Sequence, residues 1–335
     1  MDEPDKQTLC VDILVSGHVQ AYVDFFYLTH RPDVQSVEAG EEGESEASGM
    51  PADKLPIVKT QLSEAEVARR RGDTKAVYAC YSTLAALFCE LGDQRTTVYF
   101  WEKCSEIARL TADAEGETAA IRALGIAHEA LHDVTTAISY YEKLLNLATT
   151  SGLEKTERLA STHLFTAYNL VSADAESKGD LEQALEHREK SLKSAAASGE
   201  PAMLSKAHFA LGQAHEKLKE MAHLHEAVAN YKPYLTLCEQ ADDAEGQGAA
   251  CFALARTYQR LEDGKASQEY LQRFLQLAES SGKPADQADA CCALGVLYNQ
   301  QGDYPSAVEF LERFFELARS LGDRAMLDKV RETVR

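Results

Sequence analysis

Six small residues, each next to an apolar one, recur down the chain: Ala85, Gly125, Ser172, Gly212, Ala255 and Gly295, separated by 40, 47, 40, 43 and 40. A second column holds Thr97, Ala137, Ala184, Ala227, Ser267 and Ala307, with steps of 40, 47, 43, 40 and 40. A fixed period of this length marks a chain assembled from one supersecondary unit, which cannot bury its apolar face alone and must stack on its neighbours. Large apolar residues surround the small ones at helical spacing: Phe88, Tyr258 and Tyr298 near the first column, and Trp101, Tyr141, Leu271 and Leu311 near the second. Each unit therefore reads as two helices, A and B, whose small residues allow close approach.

The connections support that division. Gly92-Asp93, His132-Asp133, Gly179-Asp180, Glu262-Asp263 and Gly302-Asp303 fall between A and B. Glycine suits a left-handed helix end, and aspartate can cap the start of the next helix. Between one B helix and the next A helix lie TTSGLEK, AASGEPA, ADDAEGQ, SSGKPAD and SLGDRAM. The expected fold is all-α, an α-solenoid of antiparallel helix pairs. The pattern L-G-x-x-Y followed by Ala and then an aromatic or leucine is that of tetratricopeptide repeats, lengthened here to about forty residues. HEAT-like repeats share the length but do not explain the L-G and G-D columns. Six repeats run from about Val77 to Gly322, after a helix at Leu62 to Arg71 and before a capping segment RAMLDKVRETVR. Residues 1–31 read as an amphipathic N-terminal helix, 32–59 as an acidic Gly/Ser/Glu-rich linker, and 60–335 as the repeat region.

Charge narrows the partners. With 54 Asp plus Glu against 34 Lys plus Arg, the formal charge is -20. Nucleic acid and anionic membrane surfaces are disfavoured, since both need clustered Lys and Arg. The start MDEPDK lacks a basic signal-peptide region, and CVDILVSGHVQAYVDFFYLTH is interrupted by Asp12, His18 and Asp24, so no membrane span is expected. Eight cysteines without a C-x-x-C pair sit in apolar helical stretches and read as free thiols.

One stretch suggests chemistry. HEALH, His128 to His132, matches the H-E-x-x-H of zinc peptidases, in which two histidines hold the metal and the glutamate activates water. The repeat register gives another reading. His128 falls in the column of Phe88, Tyr258 and Tyr298, while His132 falls in the turn column of Gly92 and Gly302. Asp133 ends the helix at once, and His163 is the only nearby candidate for a third ligand. His223 and His225 read as a surface pair in an insertion between helices. Neither a phosphate-binding loop nor a nucleophile constellation stands out, and no catalytic, cofactor or metal residue is assigned. A non-enzymatic protein is expected.

The inner side of the A helices is the expected partner-binding groove. The register places Arg122, Phe209, Gln213, Phe252, Arg256, Gln259 and Asn299 there, a mixture suited to an extended or helical peptide. A carboxylate clamp would require repeated Lys and Asn, but its columns hold Ala86, Ile126, Gln213, Arg256 and Val296.

LCVDILVSGHVQAYVDFFYLTH, LSEAEVARRRGDTKAVY, FWEKCSEIARL and AISYYEKLLNLA together resemble the tetratricopeptide-repeat protein twenty-nine family of motile cilia and flagella. The resemblance covers nearly the whole chain and is most specific in the N-terminal helix. It implies a non-enzymatic axonemal component, with a cytoplasmic pool, linked to dynein arms, neighbouring axonemal proteins and ciliary transport machinery. Forty-residue tetratricopeptide repeats also resemble those of kinesin light chains and polarity adaptors, which leaves a cytoplasmic adaptor for signalling or cargo as the alternative.

Overall fold

The computed structural model describes residues 5–30, 50–218 and 220–322, and these contain fifteen α-helices and no strand. The backbone divides into two compact units, Met1–Ala160 and Ser161–Arg335. The first holds α1 Lys6–Val15, α2 Val19–Thr29, α3 Leu55–Arg71, α4 Thr74–Glu90, α5 Gln94–Leu110, α6 Ala114–Ala130 and α7 Val134–Thr150. The boundary falls inside α8, Glu154–Lys178. The second continues with α9 Leu181–Ser198, α10 Pro201–Leu218, α11 Met221–Gln240, α12 Ala244–Arg260, α13 Gly264–Ser280, α14 Pro284–Gln301 and α15 Tyr304–Leu321. Within each unit successive helices pack as antiparallel pairs, α4 with α5 and α6 with α7 in the first, α10 with α11, α12 with α13 and α14 with α15 in the second.

Sterics at the small-residue columns set how close the helices of a pair come. A Cβ added at Gly125 would run into the buried ring of Tyr141; one at Gly212 would lie 2.6 Å from Tyr231, and one at Gly295 2.7 Å from Leu311. Where the column is polar it bonds across the same contact: Ser172 Oγ donates to the Ala184 carbonyl at 3.0 Å. Aromatic pairs twelve residues apart tighten four of the hairpins. Phe88 stacks on Phe100 at 5.8 Å, His128 on Tyr140 at 5.3 Å, Tyr258 on Tyr270 at 5.8 Å and Tyr298 on Phe310 at 5.5 Å. Phe88 and Phe100 are buried, and full burial of such a side chain contributes about 1.5–3 kcal/mol; the other three pairs are half-buried.

Helix ends follow the local chemistry. Asp93, Asp133, Asp180, Asp263 and Asp303 each accept a hydrogen bond from the backbone N–H three residues on, as do Asp73, Asp113 and Asp243. A cap of this kind is worth about 1 kcal/mol. The residue that ends the preceding helix takes positive φ. Glycine fills that place at Gly92, Gly179 and Gly302, but Ala112, His132, Asp242 and Glu262 do so at φ of 54°, 61°, 54° and 61°.

Two boundaries differ from the sequence reading. The N-terminal segment is two helices rather than one, because Gly17 at φ 79° turns the chain between them. Glu66 of α3, 7% exposed, accepts the Ala21 N–H at 2.8 Å at the start of α2. Arg70 pairs with Glu66 and donates to the Gly17 carbonyl at 2.7 Å. The pair thus folds back on α3, burying Leu9, Ile13, Ala21 and Phe25 in the same core as Val58, Leu62 and Leu84. The second difference is the linker. Residues 55–59, placed in it, form the first turns of α3, with Pro56 in the first turn, where a missing N–H costs nothing. The rest of that segment up to residue 49, and the capping segment at 324–335, lie outside the described residues.

Candidate partner-binding clefts

The structure carries an open cleft in each unit. The first, about 680 Å³, lies between the N-terminal half of α6, at Glu115, Thr118 and Arg122, and the turn into α8, from Gly152 to Thr156 and Leu159. The second, about 540 Å³, lies between the N-terminal half of α12, at Glu245, Gly248 and Phe252, and the turn into α14, from Gly282 to Asp286 and Asp289, with Phe274 and Leu277 beneath. Every one of these α6 and turn residues has its counterpart 130 positions later: Thr118 with Gly248, Arg122 with Phe252, Thr156 with Asp286, Leu159 with Asp289. The clefts are one feature of the repeat, found twice.

Repeat one shows what closes it. In the column of Thr118 and Gly248, α4 carries Tyr78, whose hydroxyl donates to the Gly116 carbonyl at 2.9 Å. Gly116 stands in the column of Thr156 and Asp286. Burial pushes the Tyr78 hydroxyl up to about 12, so it remains a donor at any neutral pH. A large side chain at this column bridges the cleft; Thr118 and Gly248 leave it open.

Of the residues expected in the groove, Arg122 and Phe252 line the two clefts at the same register. Gln213 and Asn299 are exposed and Gln259 is half-buried. Phe209 turns inward, its ring 4.7 Å from Tyr234 and 5.8 Å from Tyr231. Arg256 is exposed and also engaged within the chain: its Nε and Nη2 each donate to Glu216 at 2.8 Å. Glu216, only 7% exposed, also accepts from Tyr231 at 3.1 Å, while Arg260 donates to the Glu216 carbonyl at 2.9 Å. A similar role falls to Glu176, bound by Lys217 at 2.5 Å and Arg188 at 3.3 Å. Burial pushes its carboxyl up, but the two cations outweigh that and hold it below its ordinary value.

HEALH divides between two tasks. His128 lies against Tyr140 with its Nδ1 3.5 Å from Asp133, and His132 occupies the left-handed turn. Glu129 faces the Tyr141 hydroxyl, and burial raises its carboxyl above its ordinary value. Among the described residues no group of three or more His, Cys, Asp or Glu is placed to hold a metal ion. His223 and His225 are not in an inter-helix insertion, as expected, but in the first two turns of α11. There His223 Nδ1 meets His215 Nδ1 at 3.1 Å. The eight cysteines form no disulfide, and all but Cys89 are buried. No helix among the described residues is long and apolar enough to cross a membrane.

The missed part of the site is its second wall. The turns at 152–156 and 282–286 read in sequence only as breaks between repeats. Their Gly and N-terminal helix residues at a constant 130-residue offset are the signal that ties them to Arg122 and Phe252.

Comparison with known proteins agrees with the repeat reading. Tetratricopeptide-repeat family models match residues 120–155 and 248–320. Tetratricopeptide repeat protein 29 of Macaca fascicularis is 25% identical over 283 residues, covering 81% of this chain and 58% of the relative. The protein of that name from Trypanosoma brucei brucei is 25% identical over 306 residues, covering 79% of this chain and 62% of its own length. The chain thus spans less than two thirds of these relatives. A crystal structure of BtubC from P. vanneervenii aligns with a TM-score of 0.46 at 20% identity, covering 69% of this chain and 92% of that one.

Proposed function

We propose that this chain of tetratricopeptide repeats is a non-enzymatic scaffold of the motile cilium or flagellum, holding dynein-arm subunits or neighbouring axonemal proteins together. The observation that carries the reading is the likeness to Tetratricopeptide repeat protein 29 across four fifths of the chain. The two open clefts add a place for partner side chains, at the register where Arg122 and Phe252 face the opening. The same likeness supports an axonemal location with a cytoplasmic pool and contact with the ciliary transport machinery.

Electrostatics sharpens the choice of partner. A chain of formal charge -20 is repelled by strongly acidic tubulin tails, so dynein subunits or other axonemal proteins are the favoured contacts. Proximity labelling from a tagged copy in intact flagella, followed by detergent extraction, tests the proposal. Retention with the extracted axoneme and labelling of dynein-arm or adjacent proteins is the expected result. Release into the detergent-soluble fraction would point instead to an adaptor for signalling or cargo, and cross-links dominated by tubulin tails would remove the electrostatic argument.

A further inference from the structure

We propose that His215 and His223 form a proton-operated latch at the tip of the α10–α11 hairpin, closed while one proton lies between the two rings and opened by a second. The latch is a conformational device of the fold and does not depend on which partner the scaffold binds. The Nδ1 atoms of the two imidazoles face each other at 3.1 Å, with ring centroids 5.3 Å apart. A neutral imidazole carries one N–H and one lone pair, so one ring donates from Nδ1 and the other accepts there. His215 is 6% exposed near the C-terminal end of α10, and His223 lies in the first turn of α11. The contact thus ties the two helices together where the chain passes from one to the other.

Further protons add in two steps. The first settles on His223, whose Nε2 lies 4.0 Å from Glu220; the Nδ1–H of that imidazolium still donates to a neutral His215. The second leaves no lone pair between the rings. Two N–H groups and two like charges then face each other, and the contact has to part. Around the pair, α9 presents Glu189, α11 presents Glu226, and α12 presents Arg256 and Arg260, both already engaged by Glu216. Burial and, after it, the His223 ring hold His215 below the ordinary histidine value, outweighing Glu226 and Glu189. The unfolded chain therefore takes up a proton that the closed pair refuses, and the hairpin tip loses stability as pH falls through the ordinary histidine range. Position gives the latch its reach. Glu216, next in sequence to His215, is gripped by α12, and Lys217 is bound to Glu176 of α8. Parting of the rings frees the end of α10 that carries both junctions.

Amide hydrogen exchange of the purified full chain, read by mass spectrometry and corrected for the intrinsic pH dependence, measures the opening. A proton admitted only by the open form raises opening about fivefold between roughly pH 6.5 and 5.5. That rise is expected in the C-terminal half of α10 and the N-terminal half of α11, and not in α14 or α15, which contain no histidine. His215→Asn, which puts a non-titrating amide in place of Nδ1, should bring the rise below about twofold. His225→Asn, a histidine outside the pair, should leave it intact. The ring-proton resonances give a second readout: His215 should titrate below the ordinary histidine value and move upward when His223→Asn removes its neighbour. Should His215→Asn lower the helical content at neutral pH, His223→Asn takes its place in the exchange comparison and should also diminish the rise. A hairpin tip no more acid-sensitive than α14 and α15, a rise that survives the asparagine variant, or a His215 midpoint indifferent to His223→Asn would each overturn the proposal. These outcomes come from purified protein, so they fail separately from the axonemal reading.

Discussion

Repeats two and five, residues 112–152 and 242–282, share a frame and differ in how they are held. Both place non-glycine residues in left-handed turns at matching positions, Ala112 with Asp242 and His132 with Glu262, and both carry an open cleft. Repeat five, however, reaches back to its predecessor through Arg256 and Arg260, which grip the buried Glu216. Repeat two has Ile126 and Ala130 in those columns, and Cys89 stands where Glu216 would be. Inside the hairpin the pattern is also exchanged: Gly125 faces Tyr141 in one, and Ala255 stands in the column of Gly125, with Leu271 in that of Tyr141, in the other. The backbone of the repeat therefore tolerates either an ionic junction or exposed, uncharged residues in those columns, and either a ring against glycine or a leucine against alanine. What these two repeats share is the pairing of a small residue with a large one, not the residues themselves.

Breaking the ionic junction should have the largest effect. Arg256→Ile alone leaves Glu216 buried beside one remaining arginine and should lower unfolding free energy by about 3 kcal/mol, measured by urea denaturation. Importing the whole apolar set, Glu216→Cys with Arg256→Ile and Arg260→Ala, should recover much of that loss. Next comes the hairpin. Gly125→Ala forces a methyl into the Tyr141 ring and should cost about 2 kcal/mol, and adding Tyr141→Leu, the combination repeat five uses, should restore stability. Failure of either rescue would show that the two repeats are not interchangeable in the way their columns suggest.

The turns separate the repeats by less. Ala112→Gly should stabilise by about 1 kcal/mol and Asp242→Gly by less, since aspartate tolerates the left-handed region better than alanine does. Thermal melts of the two single variants would order them. The smallest effect concerns Glu129, whose counterpart in repeat five is Gln259. Because burial raises the Glu129 carboxyl, the folded chain keeps that proton to higher pH than the unfolded chain, and ionisation costs stability as pH rises through the acid range. Glu129→Gln should melt higher than the parent at pH 7 and lose the advantage as pH falls below the ordinary carboxylate range. Glu176 has the opposite sign. Its lowered carboxyl supports the fold at neutral pH, and Glu176→Gln should lose stability there but not in strong acid.

Much of the fold was legible because its determinants are local or repeat exactly in register. An aspartate cap needs only the N–H three residues on, and His132 and Glu262 could be assigned to helix ends by alignment with Gly92 and Gly302 alone. Pro56 obscured the start of α3, since a proline reads as a break although the first helical turn accepts it. Ser16-Gly17 lay in plain view within an otherwise apolar stretch, whose composition masked the turn. The site was legible in half. Arg122 and Phe252 followed from helical register, but the facing wall lies on the next repeat's turn and depends on how successive repeats meet. Which of many charged residues Arg256 would choose could not be read from spacing, because its partner Glu216 lies on another helix pair.

Tyr78 carries a further consequence. In repeat one a single side chain, bonded to one carbonyl, spans the place where repeats two and five stay open. A substitution in one column is thus enough to alter the relief of one repeat, while the small-residue pairs that set its helix spacing lie elsewhere in the hairpin.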